Sequence, residues 1–149
     1  MMLAYLLHAD PDDNGTLLVT CPAFPEVTTF AENATDIPEI ASAALEEAIA
    51  ARISDGEEVP RPTSAAKLRT HRGPWVKLPT LTSLKVFLYM ALKESGINRS
   101  ELARRLGWHR EQVDRLFRID HLSRVEQLEA AFKALGREID VEVRELARA

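Results

Sequence analysis

The sequence predicts an α+β protein in which strands come first and helices follow. Short apolar and β-branched runs occur within the first 31 residues, and the dipeptide Asn14-Gly15 between two of them is a strong signal for a tight turn. From Asp36 onwards, apolar residues mostly recur every three or four positions, which is the spacing of amphipathic helices. Strands followed by helices are typical of α+β folds.

The first two strands should form a β-hairpin. Residues 3–8 (LAYLLH) and 16–20 (TLLVT) are apolar runs on either side of the Asn14-Gly15 turn. A two-residue Asn-Gly turn suits hairpins because both positions accept the positive φ that the twist of paired strands requires. We therefore expect these two runs to pair with each other.

A third strand and a long helix should complete the N-terminal part. Pro22 and Pro25 lack the N–H that a ladder needs, so the third strand is expected only over residues 27–31 (VTTFA). A capping pattern that begins at Asp36 then starts a helix that ends near Gly56. Its apolar stripe suits packing across one face of the sheet.

The middle of the chain divides it into two predicted domains. Residues 59–74 contain prolines and no apolar period, which predicts a basic surface linker, and residues 75–79 (WVKLP) predict a fourth strand. We therefore place an N-terminal domain at residues 1–58 and an all-helical domain at residues 81–149.

Charge is distributed very unevenly along the chain, although the net charge is only −4. Residues 1–58 hold twelve acids and one base, a net −11, whereas residues 59–80 hold five bases and no acid. Residues 81–149 hold thirteen bases and eleven acids, and seven of the bases are arginines between Arg99 and Arg124. An acidic domain joined to a locally basic one indicates two different partners.

Residues 97–118 (INRSELARRLGWHREQVDRLFR) predict two short helices around a tight turn. Asn98 and Glu101 have the spacing of a capping box, and Gly107 provides a turn position that other residues would strain. The pattern resembles the helix-turn-helix of phage-repressor-like DNA-binding domains. The positions that match the small core between its helices are Leu102, Ala103, Gly107 and Val113.

This resemblance implies a set of DNA contacts. In such domains the start of the second helix enters the major groove. Arg110 and Arg115 could each form a two-pronged contact with guanine, while Arg99, Arg118 and Arg124 would contact phosphates. The complete set of candidate DNA-binding residues is Arg99, His109, Arg110, Glu111, Gln112, Asp114, Arg115, Arg118 and Arg124.

The C-terminal residues predict a short strand. Ile139, Val141 and Val143 alternate with charged residues, which is the two-residue period of a strand. The helical domain offers no other strand to pair with. We therefore expect these three residues to mediate oligomerisation, with the segment pairing against a second copy across a two-fold axis.

Several classes of function are not indicated. No apolar run is long enough for a membrane span and no signal peptide is recognisable, so the cytoplasm is the expected location. Cys21 stands alone and the four histidines lack the spacing of metal ligands, so neither a metal nor a cofactor is expected. No catalytic motif occurs, and no catalytic residue is assigned.

Five features spread along the chain share one further resemblance: the Asn14-Gly15 turn, CPAFPEV (21–27), the Ala/Glu-rich helix ASAALEEAIAARI (41–53), Val-Pro-Arg-Pro (59–62) and SLKVFLYMAL (83–92). With these features the whole chain resembles HicB-type antitoxins with a C-terminal helix-turn-helix domain. It implies a partial ribonuclease-H-like β-β-β-α-β domain without nuclease activity that neutralises a HicA-type mRNA-cleaving toxin. The helical domain would bind operator DNA as a homodimer or larger homo-oligomer and repress the operon.

Two alternatives remain open from the sequence. The chain could be a stand-alone transcriptional regulator whose N-terminal domain senses a ligand or oligomerises. More remotely, Asp10, Glu26 and Asp36 could bind Mg²⁺ in a ribonuclease-H-like hydrolase.

Overall fold

Two small antiparallel sheets and six α-helices make up the computed structural model, which describes residues 2–146. The strands are Ala4–Leu6 (β1), His8–Pro11 (β2), Leu17–Cys21 (β3), Phe24–Ala31 (β4) and Trp75–Lys77 (β5). The helices are Ile37–Ser54 (α1), Ala65–Thr70 (α2), Thr80–Ser95 (α3), Arg99–Leu106 (α4), Arg110–Leu116 (α5) and Val125–Ala134 (α6). The predicted α+β class is confirmed.

A hairpin turn forms at the predicted place, but it is a five-residue loop in which Gly15 and not Asn14 has a positive φ, and the first strand differs from the prediction. Gly15 adopts a φ of +75°, and the Asp12 N–H donates to the Thr16 carbonyl oxygen at 2.8 Å. The prediction of one strand over residues 3–8 was wrong, because the buried Leu7 interrupts it and donates its N–H to the Pro74 carbonyl oxygen. Consequently β1 pairs with β5, whereas β2 joins the sheet β2-β3-β4. Four strands therefore precede α1 instead of the predicted three.

The strand before α1 also begins earlier than predicted. β4 starts at Phe24 and includes Pro25, although Pro25 was expected to prevent pairing. β4 lies at an edge of its sheet, and the register shifts between Thr20 and Cys21. A proline is tolerated there because an edge strand with an irregular ladder does not need every N–H.

α1 packs against the three-stranded sheet as predicted. Its buried residues recur every four positions and are Ile37, Ala41, Leu45, Ile49 and Ile53. Near its end, Arg52 forms a two-pronged ion pair with Glu26 on β4 and lies over the ring of Phe24. The helix therefore joins the sheet through both apolar packing and this ion pair.

The predicted linker is more ordered than its composition indicates. It contains α2, whose first turn is capped by the Ser64 hydroxyl accepting from the Lys67 N–H. Upstream, the Tyr5 hydroxyl donates to the Pro60 carbonyl oxygen at 2.7 Å, and the Thr63 N–H donates to that of Ala4 at 2.8 Å. The segment therefore follows β1 closely before the chain returns as β5.

α3 contacts both halves of the chain and begins at Thr80. The Thr82 hydroxyl donates to the Glu46 carboxylate on α1 at 2.7 Å, and the Tyr89 hydroxyl donates to the Glu57 carbonyl oxygen at 2.6 Å. Buried residues from both predicted domains form one continuous core cluster. The predicted boundary near residue 81 is therefore crossed by extensive contacts.

Lys85 on α3 has a fully buried side chain. Its ammonium group donates to the carbonyl oxygens of Arg115 and Arg118 at 3.0 and 2.7 Å and to the Ser123 hydroxyl at 2.8 Å. Ser123 is one residue before the N-cap of α6, Arg124, and its hydroxyl accepts from Lys85. Burial lowers the pKa of Lys85 to about 8.

The predicted C-terminal strand is absent from the single chain. Residues 137–146 form no ladder, because within residues 2–146 no strand lies beside them as a partner. Arg137 pairs with Glu94 at the end of α3, while Val141 and Val143 are 78% and 90% exposed. Separately, none of the helices in the described range has the length and apolar character required to cross a bilayer.

Replacing Lys85 with methionine should destabilise the protein. The change leaves the carbonyl oxygens of Arg115 and Arg118 without the donor that binds them, and an unmade buried hydrogen bond costs about 1–3 kcal/mol. Urea unfolding at pH 7 measures the loss. Lys133→Met, an exposed change on α6, is the control and should alter the free energy of unfolding by less than about 0.5 kcal/mol.

The contribution of Lys85 should also depend on pH. Its pKa is about 8 in the folded protein and 10.5 in the unfolded chain, so the unfolded chain binds more protons between these values. The free energy of unfolding of the wild type should therefore rise with pH in this window relative to Lys85→Met. Parallel pH profiles for the two proteins would contradict the assignment.

Candidate nucleic-acid interface

The α4–α5 pair forms as the capping signals predict. The Asn98 side chain accepts a hydrogen bond from the Glu101 N–H at 2.9 Å at the start of α4. Gly107 ends α4 with a φ of +69°, a left-handed conformation that favours glycine. The Trp108 N–H then donates to the Ala103 carbonyl oxygen, and α5 begins at Arg110. Only three residues separate the two helices.

A small apolar core lies between these helices. Leu102 and Val113 are fully buried and Ala103 is 5% exposed. Phe117, just after α5, is 2% exposed, and its ring packs edge-on to Tyr89 of α3. Three of the four positions proposed from sequence as the core therefore lie in the interior, whereas the fourth, Gly107, is exposed in the turn. α5 is held against α3 and α4.

The candidate DNA-binding residues differ in accessibility. Gln112 and Asp114 are partly buried, and the side chain of Arg99 is only 25% exposed. The remaining candidates are exposed at the N-cap of α5, on α5 itself and in the loop that follows it, and they are His109, Arg110, Glu111, Arg115, Arg118 and Arg124. The exposed members include four cationic side chains on α5 and in the loop after it, namely Arg110, Arg115, Arg118 and Arg124.

Asp114 holds two of the candidate arginines together. Its Oδ1 atom accepts from Arg99 Nη1 at 3.2 Å and from Arg110 Nε at 3.0 Å. Arg110 also donates to the Ser100 hydroxyl at 2.7 Å, and the Arg99 guanidinium lies 4.7 Å from the centre of the Phe117 ring. Burial raises the pKa of Asp114, but hydrogen bonds from both arginines outweigh it and hold the pKa below its usual range.

The other arginines on and near α4 and α5 differ in whether they form ion pairs with carboxylates. Arg104 and Arg105 both bind Glu101, and the hydrogen bond from Arg104 is the main reason that the pKa of Glu101 falls to about 2. Within residues 2–146, neither Arg115 nor Arg124 forms an ion pair. Arg115 and Arg124 are therefore the cations on this surface most available to an anionic ligand.

A polar cavity of about 320 Å³ lies at the end of α5. Its lining combines predicted and unpredicted residues, namely Gln112, Arg115, His121, Leu122, Arg124 and Gln127. Sequence reasoning missed His121, Leu122 and Gln127 because they lie outside the two helices of the motif. The available signal was Leu122, an apolar residue in a polar loop between Arg118 and Arg124, and its side chain is 87% exposed.

A second exposed surface lies on the N-terminal half. α1 covers one face of the three-stranded sheet, and across the other face Asp10, Leu18 and Phe30 are register partners. Phe30 is 51% exposed. Phe30 is therefore an exposed apolar residue on the half of the chain that carries most of its acidic residues.

The acids considered for Mg²⁺ have different surroundings. Both carboxylate oxygens of Glu26 bind Arg52, which is the main reason that its pKa is lowered. Asp10 lies on β2, and Asp36 precedes α1 and accepts from the Asn33 amide at 3.4 Å. In the described part of the chain, no three His, Cys, Asp or Glu side chains cluster as metal ligands would.

Comparison with known proteins places both halves of the chain in one group. A family model described as the HicB-like antitoxin of bacterial toxin-antitoxin systems matches residues 4–87. Antitoxin HicB of Pseudomonas fluorescens (strain Pf0-1) is 34% identical over 141 residues, covering 93% of this chain and 92% of the relative. Antitoxin HicB of Escherichia coli (strain K12) is 30% identical over 139 residues, covering 93% and 98%.

A more distant relative extends over the same range. Antitoxin HicB 1 of Photorhabdus laumondii subsp. laumondii is 24% identical over 141 residues, covering 95% of this chain and 87% of the relative. Membership of an antitoxin family implies a toxin as partner and points to a regulatory, non-catalytic role. The chain belongs to the HicB-like antitoxin family of bacterial toxin-antitoxin systems.

Proposed function

We propose that this antitoxin neutralises a HicA-type mRNA-interferase toxin through its N-terminal half and represses its own operon through α4 and α5. The observation that carries the proposal is the α4–α5 pair, in which two short helices with exposed cations are joined by a turn at Gly107. This pair lies on the same chain as an acidic antitoxin domain. We propose a partial ribonuclease-H-like fold for that domain and the cytoplasm as the place of action.

Operator binding is supported by the geometry of α5. Three features match a helix-turn-helix of the phage-repressor type: the buried Leu102, Ala103 and Val113, the left-handed Gly107 and the exposed start of the second helix. A helix of this kind places its first residues against base edges in the major groove, while flanking cations bind phosphates.

Substitutions in α5 should separate base reading from phosphate binding. Arg110→Ala or Arg115→Ala should weaken binding to promoter DNA by about 1–3 kcal/mol if each contacts a base, with a smaller effect on random DNA. Arg124→Ala should weaken binding to both duplexes equally and reduce the salt dependence of binding. Fluorescence anisotropy with both duplexes measures these effects.

Arg99 on α4, the other arginine bound to Asp114, allows a further test of base reading. As a phosphate contact, Arg99→Ala should weaken binding to all sequences alike. Equal losses on promoter and random DNA for Arg110→Ala, Arg115→Ala and Arg99→Ala would contradict base reading by α5.

Toxin neutralisation is supported by the charge of the N-terminal half. Residues 1–58 carry a net −11, and the only base among them, Arg52, is bound to Glu26 within the domain. Such a surface suits a basic, RNA-binding toxin, because complementary charge speeds and orients association. The exposed Phe30 offers an apolar contact within the same half.

The two activities should be separable. The double variant Arg110→Ala/Arg115→Ala should lose repression of a promoter reporter yet still restore growth when co-expressed with the toxin encoded next to its gene. Association of the purified pair should slow as salt rises, with little change in dissociation. Loss of growth rescue in the folded double variant would contradict the division of labour.

We propose further that the C-terminal segment pairs with a second copy. Ile139 packs partly against the core, whereas Val141 and Val143 are exposed on a segment without regular secondary structure, and Arg137 at its start pairs with Glu94. An exposed segment with strand-like alternation is a suitable edge for pairing across a two-fold axis. A dimer would present two copies of α5 to a palindromic operator.

Charge placed on the apolar side of this segment should lower the oligomeric state. Val141→Lys/Val143→Lys should shift the mass measured by light scattering towards that of the monomer, because buried lysines oppose strand pairing. Asp140→Lys/Glu142→Lys alters the alternate positions of the same segment and is the matched control. An unchanged mass for Val141→Lys/Val143→Lys would eliminate strand pairing.

A further inference from the structure

A single carboxylate joins the two helices of the proposed DNA-binding surface. Asp114 Oδ1 accepts from Arg99 Nη1 on α4 and from Arg110 Nε on α5, at 3.2 and 3.0 Å. Neither arginine depends on this contact alone, since Arg110 also donates to Ser100 and Arg99 lies over the Phe117 ring. Each guanidinium is therefore held at two points before any ligand arrives.

This arrangement leaves Asp114 poorly placed as a DNA contact. Its bonded oxygen already accepts from two arginines, and a carboxylate beside a phosphate backbone is repelled. The arginines are different, because a guanidinium has five N–H donors and only part of them are used here. Within the described residues, Arg110 Nη2 forms no hydrogen bond. The free donors of Arg110 are thus presented in a defined direction.

The carboxylate also changes the charge that the surface offers to DNA. Two arginines without Asp114 would contribute two positive charges to any phosphate nearby, whereas the three groups together contribute one. Non-specific binding depends on cations neutralising phosphates, so Asp114 should weaken it. A hydrogen bond to a base edge is instead strengthened when the donor has a fixed orientation, because the arginine side chain then loses little conformational freedom on binding.

We infer that Asp114 is a positioning residue that gives the α4–α5 surface its selectivity. It orients Arg110, the proposed base-reading residue, and it reduces the attraction of both Arg99 and Arg110 for phosphates of any sequence. The inference rests on the proposed DNA-binding function. It differs from the sequence-based assignment of Asp114, which counted the residue among those that contact DNA.

Three variants separate orientation from charge. Asp114→Asn removes the charge with little change of shape, and Asp114→Glu retains the charge but moves the carboxylate. Asp120→Asn is the matched control, because Asp120 is an 82% exposed acid whose carboxylate lies 3.8 Å from Arg118 and contacts neither Arg99 nor Arg110. Thermal melting confirms that each variant is folded.

Binding is measured with two probes, a duplex of the chromosomal sequence upstream of the gene and a random duplex of the same length. For Asp114→Asn we expect tighter binding to the random duplex and a fall of about tenfold in the preference for the promoter duplex, comparable to losing one base contact. Asp114→Glu should lose preference for the promoter duplex without binding the random duplex more tightly. Asp120→Asn should shift both duplexes equally.

A second readout does not involve DNA. In nitrogen-15 spectra of the free protein, the Arg110 Nε–H should exchange slowly with water in the wild type and in Asp120→Asn, and rapidly in Asp114→Asn. A purely structural Asp114 would alter the melting temperature and leave the preference ratio unchanged, which would overturn the inference. A wild type with no preference for the promoter duplex would instead overturn the proposed function.

Discussion

The buried ammonium group of Lys85 is the contact on which the arrangement of the C-terminal helices depends. A charge removed from water must be compensated by hydrogen bonds, and here the partners are the Arg115 and Arg118 carbonyl oxygens and the Ser123 hydroxyl. These groups terminate α5 and shape the loop before α6. If α5 moved away from α3, the ammonium group would lose its partners, so the orientation of the proposed reading helix is fixed by α3.

α3 also contacts the N-terminal half of the chain. Thr82 binds the Glu46 carboxylate and Tyr89 binds the Glu57 carbonyl oxygen, while the pairing of β1 with β5 delivers the chain to the start of α3. The acidic and the basic parts of the protein are therefore packed against each other and are not separate domains joined by a flexible linker. One helix contributes buried side chains to a core that continues through both.

Local signals predicted much of this molecule and failed where long-range contacts decide. The Asn98 cap, the Gly107 turn and the apolar spacing of α4 and α5 depend on neighbours in the chain, and all three formed as predicted. The split at Leu7 could not be foreseen, because it follows from a hydrogen bond to Pro74, 67 residues away in the sequence. α2 was hidden by a polar, proline-containing composition with one buried residue, Leu68.

By itself, the sequence determined the α+β class, the separation of acidic from basic segments, and the two-helix motif with its candidate residues. Only the tertiary structure decided which of the charges remain available. Arg52, Arg99 and Arg110 are bound to carboxylates on other elements or across a helix turn, whereas Arg115 and Arg124 form no ion pair within the described range. The physical reason is that net charge is a property of composition, but ion pairing requires side chains to lie within a few ångströms, and only folding brings Asp114 to Arg99.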